Sequence, residues 1–150
     1  MTDTTCQICE RGIKASTGTI ALHGYTRPWK QGWQSGSCFG AKFRPYEVAC
    51  DALPPAIERV RAFIERQKAH LTDFTNNPPE KLIKYDRYHK AEELVRPEGY
   101  VYNPRHGGFS YTERYQLQHP NVIYEIKKSI EQAERDLPRL EKRLADWKPV

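Results

Sequence analysis

Two cysteines separated by two residues, Cys6-Gln7-Ile8-Cys9, can grip one metal ion from a tight turn. His23 follows after thirteen intervening residues and Cys38 after fourteen more. Three thiolates and one imidazole make a closed tetrahedral Cys3His shell, a donor set suited to a single zinc ion. Four protein ligands leave no position for water or substrate, so the expected role of the metal is structural. Cys50 is the competing fourth ligand. Cys38 is preferred because Gly36 and Gly40 stand on either side and free the backbone to turn amides toward a thiolate. Cys50 has Ala49 and Asp51 beside it and no nearby glycine.

The same cysteines have other readings. An even count of four permits two disulfides. Cys6 and Cys9 are too close for a relaxed mutual bridge, however, and the residues after Met1 are polar and form no apolar leader. That predicts a reducing compartment, where structural disulfides are rare. Scattered buried cysteines are the remaining alternative, and a CxxC pair alone does not exclude them.

Charge points to a partner. The net charge of +5 is concentrated between Arg11 and Tyr46, which hold six cations (Arg11, Lys14, Arg27, Lys30, Lys42, Arg44) and no Asp or Glu. Tyr25, Trp29, Trp33, Phe39, Phe43 and Tyr46 are interleaved with them. Cations meet phosphates and rings stack on exposed bases, so Arg27, Trp29, Lys30, Trp33, Lys42 and Arg44 are candidate nucleic-acid contacts. The competing reading makes the rings a small core around the metal, with Phe39, Phe43 and Tyr46 inside.

Catalytic patterns are weak. His89, Asn103 and His106 are the residue types of an HNH-type nuclease site, but no Asp-His pair precedes the asparagine. No second CxxC braces such a fold, and no glycine-rich phosphate loop or serine elbow occurs. Cys50 is a candidate thiol nucleophile without a histidine base marked for it. The chain reads as non-catalytic.

The elements that must position these residues are mainly helical. At 150 residues with 38% hydrophobic and 11% aromatic content, a modest core propped by metal is expected. No apolar run approaches the ~20 residues of a bilayer-spanning helix. Pro54 and Pro55 can open a helix over 54–75, where Ile57, Val60, Ile64, Leu71 and Phe74 recur at steps of three and four, with Gln67 interrupting the stripe. A second helix is expected over 120–147, opening at Pro120, with its stripe running from Ile123 through Leu140 to Trp147. The stripe keeps phase across Pro138, which predicts a kinked continuous helix, with a break near Asp136 as the alternative. At 1.5 Å per residue the two span ~33 Å and ~42 Å and can lie as an antiparallel pair. A coiled-coil homodimer through the same stripe is the runner-up, so monomer and homodimer both stay open.

Between the helices, residues 78–119 hold six of the nine tyrosines. Residues 79–95 read as a short helix with Leu82, Ile83 and Leu94 inward. Residues 99–115 read as two extended pieces around Asn103-Pro104-Arg105-His106-Gly107-Gly108, a turn signal. Tyr100, Tyr102, Arg105 and Tyr111 are candidate protein contacts, since tyrosines give contact area at low entropic cost. Capping the end of the helix pair is the equal alternative. The expected fold is therefore mainly α, with a zinc-stapled β/loop module at 1–50 and a helical body at 51–150 that carries an irregular α+β insert.

The runs Cys6 to Ile13, His23-Gly24-Tyr25-Thr26-Arg27-Pro28, Gly36-Ser37-Cys38-Phe39-Gly40 and Pro45-Tyr46-Glu47 resemble small, mostly uncharacterised zinc-binding proteins of bacteriophages and bacteria. These share a CxxC, HGYxRP and GxCxG pattern over about fifty residues; here Trp29 replaces the usual glycine after Arg-Pro. The resemblance implies one structural zinc and a phage-type role in the cytoplasm of a bacterial host. Two roles follow: a small nucleic-acid-binding regulator, or an inhibitor of a host defence or polymerase complex that handles nucleic acid.

Overall fold

Pro54 and Pro55 stand in a first helical turn, where the missing amide costs nothing because that turn's amides have no helical partner. In the computed structural model, which describes residues 4–15, 17–24, 36–85, 88–104 and 115–148, helix α1 spans Leu53–Asn76. Asn77 and the Pro78-Pro79 pair follow it, and proline cannot continue a helix. Helix α2 spans Tyr115–Asp146 and runs uninterrupted through Pro138. It begins five residues before Pro120, the residue expected to open it. The earlier turn forms because Tyr115 and His119, on the same face one turn apart, are both buried against other rings.

The chain divides into two compact units, Met1–Ala62 with Arg135–Val150, and Phe63–Glu134. Each unit contains a stretch of both helices. In the first, Leu53, Ala56, Ile57 and Leu140 form a buried cluster, flanked by Leu137 and Leu144 of α2. Each fully buried Leu or Ile stabilises by about 1.5–3 kcal/mol. Arg61 pairs with Glu141 at 2.7 Å on the rim of this cluster. In the second unit Lys68 of α1 pairs with Glu134 at 2.7 Å, and Phe74 stacks on His119. The partners descend along α2 as they ascend along α1, so the two helices pack antiparallel. These exposed ion pairs contribute little; the apolar stripe carries the packing.

Residues 79–95 are not helical. Strand β1 (Lys81–Tyr85) and strand β2 (Ala91–Val95) form an antiparallel hairpin in which Leu82 faces Leu94 and Ile83 faces Glu93. Alternation decides the face each side chain takes. Leu82 and Leu94 turn inward against Tyr115, Phe74 and Tyr100. Ile83, expected inward, is 61% exposed because it lies on the opposite face from Leu82. The Arg96 amide donates to the Glu80 carbonyl, and Tyr115 Oη donates to the Pro79 carbonyl, tying the hairpin ends down. Of the two extended pieces expected after Gly99, the first, before Asn103, forms no strand, and the second falls outside the described residues except for Tyr115, which opens α2. Among the described residues no helix is long and apolar enough to cross a membrane.

Candidate metal centre

The CxxC turn begins in a short paired segment. Thr5 bridges Gly12, the Cys6 amide donates to the Arg11 carbonyl, and the Ile13 amide donates to the Thr4 carbonyl. The turn closes through Glu10 in the left-handed region at φ 64°. The other two ligands stand on a second pairing. The Lys42 amide donates to the Ile20 carbonyl, the Ile20 amide to the Phe43 carbonyl, and the Cys38 amide to the His23 carbonyl at 2.8 Å. Ser37 Oγ donates to the same His23 carbonyl and accepts from the His23 amide. Two local pairings thus present two ligands each.

Sγ of Cys6, Cys9 and Cys38 and a ring nitrogen of His23 lie within 4.8 Å of one another. Cys6 Sγ is 3.9 Å from Cys38 Sγ, and Cys9 Sγ is 3.2 Å from His23 Nε2. All four cysteines are free thiols. His23 Nδ1 donates to the Ala21 carbonyl at 2.8 Å, so Nε2, the atom beside Cys9, is the ring nitrogen that faces the cluster. The group can hold one metal ion, and three sulfurs with one imidazole nitrogen is a zinc donor set. Cys38 completes the quartet; Cys50 packs instead against the apolar cluster around Leu53.

The thiols differ in acidity. Burial opposes ionisation of Cys9, but the Arg11 amide and the His23 ring outweigh it and hold the thiol below its ordinary value. Burial, together with repulsion from Cys6 and Cys9, pushes Cys38 up to about 12, although the Gly40 amide bonds to its sulfur. Three thiolates this close cannot all ionise without a cation to offset them. A bound metal ion would supply that charge.

Glycine makes room at two points. Gly24 takes φ 70°, and a Cβ there would meet Cys38 Cβ at 3.3 Å. A Cβ on Gly40 would stand 2.4 Å from Cys6 Sγ. Behind the turn, Gln7 is fully buried: its Nε2 donates to the Arg44 carbonyl and to Asp51, and its Oε1 accepts from the Ala52 amide. The residue inside the CxxC therefore fastens the loop to the start of α1. Glu47 accepts from the Thr5 amide and hydroxyl on the other flank.

The other sequence-based candidates fare differently. Lys42 is exposed, in a turn at φ 68°. Arg44 pairs with Asp51 at 3.2 Å, which offsets its charge. Arg27, Trp29, Lys30 and Trp33 lie outside the described residues, as do Arg105, Tyr111 and His106. Phe39 and Tyr46 are half-buried against the Leu53 cluster, and Phe43 lies 5.5 Å from Phe39. Tyr100 and Tyr102 pack edge-on around His119, with Tyr100 Oη 3.1 Å from its Nδ1.

His119 had no signal in the sequence. It is fully buried, stacked between Phe74 and Tyr115, with Nε2 2.9 Å from the Phe74 carbonyl. Burial lowers its pKa against the pull of that carbonyl, keeping the ring neutral. A neutral ring donates from Nε2 and accepts the Tyr100 hydroxyl at Nδ1, so both nitrogens are satisfied inside the aromatic box. No family model, no curated protein and no solved structure matches this chain.

Proposed function

We propose that this is a non-catalytic, zinc-stapled accessory protein of phage type whose N-terminal module binds nucleic acid. The observation that carries it is the closing of Cys6, Cys9, His23 and Cys38 on one point. A four-ligand shell offers no open coordination position, so the metal holds the module in shape and the module presents its surface. The acid-free run from Arg11 to Tyr46 supplies the cations, with Lys42 free to face a phosphate and Arg44 shared with Asp51. Labelled single- and double-stranded oligonucleotides titrated at two salt concentrations test the reading. Three or four phosphate contacts give a fall of log affinity with log salt at a slope near ~3, at ~0.9 per contact. Replacing Arg27 and Lys30 together should flatten that slope, and Trp29→Ala should weaken single strands more than duplexes. Absence of binding by zinc-loaded protein at low salt would rule the reading out.

A second reading rests on the hairpin. Ile83, Tyr85 and Val95 share its outward face and are 61%, 64% and 59% exposed. This face, in which the Lys81–Glu93 ion pair stands among the exposed apolar and tyrosine side chains, suits a protein partner, and the role would be an inhibitor or adaptor of a host complex that handles nucleic acid. Capture from host lysate that survives nuclease treatment and is lost in Ile83→Lys would favour this reading over the first.

A further inference from the structure

The CxxC turn is held from outside by the last turns of α2. We infer that Arg139 and Arg143 are positioning residues for the metal centre, fixing the Cys6–Cys9 loop. The inference rests on the zinc reading above. Arg143 Nε donates to the Gln7 carbonyl at 2.9 Å, and its Nη2 donates to the Cys6 carbonyl at 3.3 Å. Its guanidinium lies 3.7 Å from the centre of the Tyr46 ring, and its side chain is only 15% exposed. Arg139 Nη1 donates to the Ile8 carbonyl at 2.9 Å and to Glu10 at 2.6 Å. Three successive carbonyls of the turn are thus taken by one helix. In a trans peptide plane the N–H points opposite to the C=O, so these bonds also set the directions of the Gln7, Ile8 and Cys9 amides.

The carboxylates about these arginines leave them little net charge: Glu10 is bonded to Arg139 and 3.7 Å from Arg143, and Asp136 is 3.8 Å from Arg139. Their effect on the centre therefore runs through the hydrogen bonds to the loop. Arginine suits the task because its rigid fork reaches two carbonyls at once, whereas lysine offers a single point charge.

Cobalt(II) titration of the full chain, followed by its visible absorption, and zinc competition against a chromophoric chelator test this. The parent should show the absorption of a thiolate-rich tetrahedral site. Arg143→Met should lose ~10–100-fold in metal affinity, the range seen when outer-shell partners of ligands are removed. Arg143→Lys, which keeps the charge without the fork, should recover only a small part of that loss. Arg139→Gln, at a more exposed position, should lose less and shift the cobalt bands; it carries the test should Arg143→Met fail to fold. Arg61→Gln, whose partner is Glu141, should keep parental affinity and so separate loop positioning from general loss of surface charge. A parent without the cobalt signature would overturn the metal reading and this inference with it. A parent with the signature, alongside Arg139→Gln and folded Arg143→Met of parental affinity and spectrum, would overturn this inference alone.

Discussion

Gly40 has no room for a methyl group. Its Cβ would stand 2.4 Å from Cys6 Sγ and 3.1 Å from Ile8 Cγ1, and Cys6 is fully buried with nowhere to retreat. A flexible surface side chain would move aside; a metal-bound sulfur would have to leave its coordination position. Overpacking of this kind costs about 1–3 kcal/mol, and here the cost falls on metal retention. Gly40→Ala is therefore expected to purify with well under one zinc per chain and a lowered melting temperature. Gly36→Ala, where nothing lies within 4 Å, should match the parent in both. Metal analysis and thermal melting of the pair decide it, and full zinc retention in Gly40→Ala would contradict the placement of Cys6.

The helices make their own test at the scale of the element. Leu140 is 3% exposed in the first unit's cluster, and Ile126 is 8% exposed in the second unit. Leu140→Asp and Ile126→Asp each bury an unpaired carboxylate, so each should lower stability by more than ~3 kcal/mol in denaturant melts followed by circular dichroism. Parental stability in both would mean that the stripes are not the core. The stripes themselves were legible in the sequence, because a three-four period repeated over many turns has only one good explanation. The hairpin was not. Leu82, Ile83 and Leu94 fit either period over so short a run, and the deciding partners, Tyr115 and Phe74, come from distant parts of the chain. The start of α2 was misread because Pro120 marks a helix opening locally, while His119 and Tyr115 earn their turn only by burial. The clustering of Cys6, Cys9, His23 and Cys38 was legible from spacing. The arginines behind them were not, since charged positions on a helix ordinarily read as a solvated face.

At the scale of the whole molecule, a metal bound at the Cys3His group would tie the first unit and leave the second to its own aromatic cluster. Chelation is expected to speed amide exchange in residues 4–24, 36–62 and 135–148 by at least ~10-fold, with residues 63–85 and 115–134 changing little. Hydrogen exchange with mass spectrometry, with and without chelator, measures both at once, because ligand closure is folding energy for the segment that supplies the ligands. Uniform acceleration along the chain would show that the two units unfold as one. The first unit is also discontinuous, and its parts are far apart in time as well as in sequence. The Arg139 contact to Ile8 joins residues 131 positions apart, so the thiols leave the ribosome long before their clamp is made. The second unit is one unbroken stretch and can close while the first still waits. Between those two moments the Cys6–Cys9 loop stands open, without its clamp. A reducing environment that keeps those thiols from pairing wrongly then becomes a requirement of assembly itself.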